Sequence, residues 1–401
     1  MDKIDQLLTR GIDNVYPTRE DLKQILQSGK KLTIYQGFDP TGTQLHIGHM
    51  VGFRKLKQWQ DLGHKVVFLI GTGTGLAGDP SGKLRSREKF LTEEELKQNA
   101  KDYVMQAGKL VRFDGENPVQ IVYNGDWLNN LTLPEILDIA GHFTLQQLIE
   151  RDLFQERMKK GEDVNLREFL YPLLQGYDSV AISADVELGG TDQMFNMLAG
   201  RKLVREIQNR EKFVMTTPLL TDSEGRKIGK TEGNVIALTD KPEDLFGKIM
   251  SLPDDVVLKG FEYLTDVSLE KLSEIELALS SGENPINFKK QLAFDLVKQL
   301  NNEKEAKKAQ EAFESVVQKK DLPTEIPQFV LPKDKALTTF TDLLVETGLA
   351  ASKSDARRLI EQGGVEIDNE KIVEPNKETT IKTNAVLKVG KRKFVEIIVE
   401  D

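Results

Sequence analysis

Two short motifs carry the residue types that chemistry on phosphates requires. His46-Ile47-Gly48-His49 lies between a short apolar strand and an amphipathic helix, and Lys227-Ile228-Gly229-Lys230-Thr231 follows far downstream. Histidines three apart at a helix start fall on adjacent turns, where the backbone N–H groups and the helix dipole already favour an anion. Two imidazole donors extend such a site toward a triphosphate, and Gly48 lets a purine or ribose approach the backbone. An isolated HxxH is most often a pair of surface or cap histidines. Here the strand-loop-helix context and the intervening glycine favour the anion site. In the second motif Gly225, Gly229 and Gly233 give the segment freedom, and Lys227 and Lys230 supply point charges for a pyrophosphate. In isolation that pattern is a solvated basic loop.

Further candidates lie between the two. Gly73-Thr74-Gly75-Leu76-Ala77-Gly78 formally matches the G-x-G-x-x-G of a dinucleotide site. That fingerprint must open a helix, whereas Asp79-Pro80-Ser81-Gly82 follows at once, and Pro80 and Gly82 predict continued loop. The expectation is instead a backbone that a ligand approaches closely, with Asp79 beside it. Lys83, Arg85 and Arg87 are either a solvated basic loop or cations near phosphates. Tyr171, Gln175 and Asp178 stand at i, i+4 and i+7 and share one helix face. A phenol, an amide and a carboxylate converging there suit an amino acid that carries a hydroxyl; the plainer alternative is a partly exposed helical face. Gly189-Gly190-Thr191-Asp192-Gln193 reads as a loop ending in an N-cap at Thr191.

Elements must position these groups. Leu32–Tyr35 and Val66–Ile70 read as buried strands and 37–42 as a loop. Phe53, Leu56, Trp59 and Leu62 recur at helical spacing up to Gly63. With a third strand at Val119–Tyr123, the strand-helix-strand order predicts a parallel sheet. A helical stretch at 133–178 and a late strand at Val214–Leu220 follow. Three domains and a linker are expected: 1–240 α/β, 241–321 helical, a proline-marked linker at 322–335, and an α+β module at 336–401. In that module helices are predicted at Thr338–Thr347 and Lys353–Gln362, the second with a Ser352/Asp355 capping box. Hydrophobic residues make up 39% of the chain, enough for real cores, and there is no cysteine. Disulfides, thiolate metal sites and cysteine nucleophiles are thereby excluded. A net charge of −9 argues against nucleic acid over the whole surface but leaves room for a local basic patch. No run approaches the roughly 18–20 apolar residues of a spanning helix, and residues 1–30 carry no secretory pattern. The expectation is a cytoplasmic protein without membrane attachment.

Taken together the motifs resemble the bacterial-type tyrosyl-tRNA synthetases, a family of class I aminoacyl-tRNA synthetases. His46–His49 is similar to the HIGH signature and Lys227–Thr231 to the KMSKS signature. Tyr35–Thr41, 78–82 and Gly189–Gln193 are similar to further family loops. The resemblance implies a Rossmann-like catalytic domain, then a helical domain and a small RNA-binding module of alpha-L type. It implies that Tyr35 and Asp178 bind the phenol of L-tyrosine, and that Asp79, Tyr171 and Gln175 hold its ammonium, with Gln193 near its carboxylate. Gly37, Asp39, Gly48 and Asp192 would contact the adenylate. Thr41, His46 and His49 would act at the phosphates, joined by Lys227, Lys230 and Thr231, with Lys83 and Arg87 from the other side. ATP would bring Mg2+ with it, no dedicated protein metal site being implied. The further partners are tRNA(Tyr) and a second copy of the chain, with Leu131–Leu148 as a candidate interface. Gln36 departs from the small residue that many relatives carry beside the ribose; Gly52 is assigned nothing. Residues 336–401 hold ten Lys/Arg and twelve Asp/Glu, so any RNA contact is a patch: Lys353, Arg357 and Arg358 around one helix, and Lys391, Arg392 and Lys393 at a hairpin. A site built to hydrogen-bond a hydroxyl rejects the analogue that lacks it, and tyrosyl enzymes are the standard instance of that rule. A tryptophanyl enzyme of the same fold, and a non-catalytic RNA-binding protein with a synthetase body, are the competing readings.

Overall fold

The computed structural model describes residues 2–78, 91–229, 235–315, 326–333, 336–368, 370–390 and 393–400. They fall into two compact units, 1–241 with 248–302, and 242–247 with 303–401.

The first unit is built on a sheet of six strands, β1 (Asn14–Tyr16), β2 (Thr33–Phe38), β3 (Lys65–Ile70), β4 (Gln120–Tyr123), β5 (Val186–Gly190) and β6 (Phe213–Thr217), in the order β1-β6-β5-β2-β3-β4. All pairs are parallel except β1 with β6. The inner strands are near-continuous apolar runs, Val66–Ile70 in β3 being buried throughout, because helices cover both faces of a parallel sheet. The chain runs outward from β2 to β3 and β4, then returns to the other side of β2 with β5 and β6. The order therefore reverses between β2 and β5, and ligands of open parallel sheets bind beyond the strand ends at such a reversal.

β2 is longer than the sequence suggests. Gly37 and Phe38, read as loop, pair in register with Leu69 and Ile70. The Gly73–Gly78 segment is not all loop either, since Gly73 caps a single helical turn, Thr74–Ala77. Thr191 is not the helix cap: the 3-10 turn Thr191–Gln193 starts from Gly190, and the Thr191 hydroxyl is spent on Asp13 Oδ2 and Thr217 O, each at 3.0 Å. The helices between 257 and 300 belong to this first unit. Arg10 and Arg54, both buried, fasten them to it by donating to the carbonyls at the C-terminal end of Val257–Leu264. Arg10 Nη2 reaches Phe261 O and Thr265 O at 3.0 and 2.9 Å, and Arg54 Nη2 reaches Thr265 O at 2.6 Å. Cations suit orphan carbonyls at a helix end.

In the second unit the helix Glu303–Phe313 meets residues 242–247 through the Phe246 and Phe313 rings, 5.4 Å apart. Beyond it come β7 (Gln328–Leu331), β8 (Leu337–Thr339), β9 (Val365–Ile367), β10 (Glu370–Lys371), β11 (Glu378–Thr380), β12 (Ala385–Val389) and β13 (Lys393–Val399). They form a sheet in the order β10-β9-β12-β13-β7 and a separate β11-β8 pair. Helices Phe340–Glu346 and Lys353–Glu361 pack on a core that includes Leu343, Leu344, Ala356, Ile360, Leu387 and Ile397. Ser352 caps the second helix by accepting from Asp355 N at 3.2 Å, whereas Asp355 bonds Ala351 N in place of completing the box. β7 lies inside the stretch read as linker, where Phe329 and Leu331 pair with Ile397 and Val399 of β13.

Candidate active site

A cavity of about 1020 Å³ opens beyond the ends of β2 and β5, at the upper end of the range for small-molecule sites. Tyr35, Gly37, Asp39, Thr41, His46, Gly48, His49, Tyr171, Gln175, Asp178, Asp192, Gln193 and Lys227 all line it. Asp79, Lys83, Arg87, Lys230 and Thr231 lie outside the described residues, as do Lys391 and Arg392.

At one end the helix Ile47–Asp61 begins from His46. His46 Nδ1 accepts the Gly48 N–H at 3.2 Å and His49 Nδ1 accepts the His46 N–H at 3.1 Å, with the ring centroids 4.0 Å apart. A ring nitrogen that accepts carries no proton, so in each neutral imidazole the proton sits on Nε2. The cap thus fixes the tautomer that a phosphate oxygen needs. The segment that follows the second motif is held beside the first: Ile47 N donates to Ile236 O at 3.0 Å and Leu238 N to Leu45 O at 2.9 Å. Gly229 has φ +84°, and a Cβ there would stand 2.9 Å from Ile47 Cγ1. Only glycine lets the loop cross the helix start so closely. Lys227 Nζ reaches Asp192 Oδ2 at 2.7 Å.

At the other end the groups are buried. Asp178 Oδ2 accepts from Asn124 Nδ2 at 3.0 Å and Oδ1 from Trp127 Nε1 at 2.9 Å. Burial pushes the Asp178 carboxyl well up, and these two N–H donors pull it back. Tyr35 Oη lies 2.7 Å from Ser179 Oγ; burial first, then the charges of Glu187 and Asp178, hold its phenol well above the ordinary value. Behind Ser179 is a buried ion pair, Lys212 with Glu187. Gln175 Nε2 donates to Glu187 Oε1 at 3.1 Å, while its Oε1 is buried with no hydrogen-bond partner among the described residues. Between the two ends Asp39 accepts from Tyr171 Oη at 2.8 Å and from Thr74 Oγ1 at 2.6 Å.

Sequence reasoning missed Asn124, Trp127, Ser179, Glu187 and Lys212. It also gave Gly52 no role, yet a Cβ at Gly52 would lie 2.5 Å from Gln36 Oε1. The large residue at 36 fits because residue 52 has no side chain.

Residues 27–318 match the family described as tRNA synthetases class I (W and Y), and residues 318–397 match the Tyrosine--tRNA ligase SYY-like C-terminal domain. The chain belongs to the class I tRNA synthetases. This synthetase is 43% identical over 400 residues to the tyrosine–tRNA ligase of Thermotoga maritima, covering 98% of its own length and 96% of the relative's. With that of Aquifex aeolicus it shares 39% over 380 residues, 94% of each. Among solved structures, a C-terminally truncated mitochondrial tyrosyl-tRNA synthetase from Aspergillus nidulans matches with a TM-score of 0.65 at 27% identity, over 77% of this synthetase and 92% of that chain. The Archaeoglobus fulgidus tyrosyl-tRNA synthetase complexed with L-tyrosine matches in fold, with a TM-score of 0.61 at 22% identity, over 77% and 100%. Full-length relatives are tyrosine enzymes, so the tryptophanyl reading is not favoured.

In the C-terminal module Lys353, Arg357 and Arg358 are exposed along one helix. Lys353 Nζ pairs with Asp342 at 2.6 Å and Arg358 with Asp355 at 2.5 Å. Asp355 also feels the charge of Lys393.

Proposed function

We propose that the chain activates L-tyrosine and attaches it to tRNA(Tyr). The tyrosine carboxylate attacks the α-phosphorus of MgATP, the α–β bridging P–O bond breaks, and tyrosyl-adenylate and pyrophosphate form. The terminal adenosine of the tRNA then attacks the acyl carbon and AMP leaves. The observation that supports this reading is one cavity with paired imidazoles at a helix start and a buried phenol with a carboxylate at the opposite end. Tyr35 and Asp178 bind the substrate phenol. Gln175 Oε1, Tyr171 and Asp79 receive the ammonium, and Gln193 lies near the carboxylate. Gly37, Asp39, Gly48 and Asp192 take the adenylate. The Nε2–H groups of His46 and His49, with Thr41, Lys83, Arg87, Lys227, Lys230 and Thr231, stabilise charge developing on the phosphates. The magnesium arrives as part of the nucleotide. Among the described residues no group of three or more His, Cys, Asp or Glu is arranged to hold a metal, and no helix is long and apolar enough to cross a membrane.

The exposed Leu133, Leu137 and Leu145 suit a homodimer contact through this face, and Lys353, Arg357, Arg358 and Lys391–Lys393 contact RNA phosphates. The test is exchange of labelled pyrophosphate into ATP. Exchange with L-tyrosine far above that with L-phenylalanine or L-tryptophan is expected. Equal exchange with tryptophan overturns the specificity, and none with any amino acid favours a non-catalytic RNA-binding protein.

A further inference from the structure

Four side chains behind the cavity form a hydrogen-bonded chain whose direction follows from proton counting. Lys212 is fully buried at the start of β6, and an ammonium has three donors and no acceptor. Its three N–H groups go to Ser179 Oγ at 2.6 Å, to Glu187 Oε2, and to Met197 O at 3.2 Å. Ser179 therefore accepts from Lys212 and has one proton of its own to give. Two oxygens compete for that proton: Tyr35 Oη at 2.7 Å and Glu187 Oε2 at 3.3 Å. Glu187 is already served by Lys212 on Oε2 and by Gln175 on Oε1, so the shorter contact takes the proton. The Tyr35 hydroxyl then accepts from Ser179, and its own proton, for which Glu187 is also within reach, is the one that can turn to a phenol oxygen in the cavity.

We infer that Lys212 and Ser179 are positioning residues for tyrosine selection: they turn the Tyr35 hydroxyl into a donor aimed at the substrate phenol. The inference rests on the reading that Tyr35 and Asp178 bind that phenol. A phenol has one proton. With Tyr35 donating to its oxygen, that proton is passed to the Asp178 carboxylate, and each oxygen in the row Ser179, Tyr35, substrate, Asp178 has a partner. In the opposite arrangement Ser179 gives its proton to Glu187 and Tyr35 donates back to Ser179. The substrate phenol then faces two acceptors with a single proton, and one buried acceptor is stranded, which is the costly case. By neutralising Glu187, Lys212 withdraws the competitor for the Ser179 proton.

The test is a double-mutant cycle of Ser179→Ala with Tyr35→Phe in the full-length enzyme, read as kcat/KM for pyrophosphate exchange with tyrosine and with phenylalanine. Ser179→Ala is expected to lower kcat/KM for tyrosine about tenfold, the worth of one hydrogen bond. It should leave phenylalanine unchanged and have no further effect once Tyr35 is Phe. Equal losses for both amino acids, or the same loss in the Tyr35→Phe background, overturn the inference, because a packing defect would not distinguish the substrates. Lys212→Met leaves a buried carboxylate unpaired and risks misfolding, so it is paired with Glu187→Gln, whose amide N–H replaces the donor to Ser179. The double variant should recover tyrosine preference over Lys212→Met alone; no recovery in a folded double variant counts against the relay. If Tyr35→Phe itself leaves tyrosine preference intact, what fails is the assignment of Tyr35 to the phenol, a separate result.

Discussion

His46 and His49 each do two jobs with one ring. Nδ1 closes the first turn of the helix by accepting a backbone N–H, and Nε2–H is the donor proposed for the phosphates. Replacing either by alanine should cost about 1 kcal/mol of stability through the lost cap. The larger effect falls on the activation step, with kcat lowered by roughly 2–4 kcal/mol as for other donors aimed at transition-state charge. Tyrosine affinity should hardly change, since Tyr35 and Asp178, proposed to bind the phenol, are at the other end of the cavity. A change mainly in tyrosine KM, seen in single-turnover kinetics, would show the imidazoles serving ground-state binding instead. The signature was legible in sequence because its residues are contiguous and stand at a helix start. Tyr171, Gln175 and Asp178 were legible through helical spacing. Asn124 and Trp127 were not, because they come from beyond the end of β4 and only tertiary structure brings them to Asp178. Lys212 was hidden for another reason: a lysine beside Glu211 and Arg210 reads as solvated, and burial shows only once Glu187 is seen to face it.

At the scale of elements, the parallel sheet followed from apolar strands and a crossover helix, but the order of its strands did not. Which side of β2 receives β5 depends on long-range pairing such as Tyr35 with Glu187, and that decides where the cavity opens. One residue at the strand entries has a pH consequence. His64 is buried between the helix end and β3, and its Nδ1 accepts the Leu32 N–H at 3.2 Å, joining the starts of β2 and β3. Burial, and then the charge of Lys31, lowers its pKa to about 4. A depressed pKa means the folded protein resists a proton that the unfolded chain takes up near pH 6.5. This contribution is fully present above about pH 6.5 and is lost as the pH falls toward 4. Thermal unfolding followed across that window should show Tm falling with acidity, and His64→Gln should flatten the fall between pH 6.5 and 5. An unchanged slope in the variant would assign the acid limb to other groups.

At the scale of the molecule, the texture change near residue 322 was visible as a cluster of prolines, yet prolines mark where a chain stiffens and not which residues pair across it. β7 lies within that cluster and completes the C-terminal sheet beside β13. A cut at Pro332 would leave Phe329 and Leu331 without their partners in Ile397 and Val399 and expose an apolar strand. The informative cut falls near residue 320, after the helix Glu303–Phe313 that packs on residues 242–247. A chain ending there keeps every residue proposed for activation, all of which precede Glu232. It should still exchange pyrophosphate with tyrosine at close to the full-length rate. Charging of tRNA should be lost, because Lys353, Arg357, Arg358 and Lys393 are gone. The reason is electrostatic and so has its own signature: each phosphate contact removed lowers the log–log salt dependence of tRNA binding by about 0.9 for a duplex and 0.7 for a single strand. Affinity measured against salt should therefore fall less steeply for the truncated chain, and in the full chain Arg357→Ala alone should remove slightly under one unit. Normal charging by the truncated form, or an unchanged salt slope, would assign the C-terminal module to a partner other than RNA.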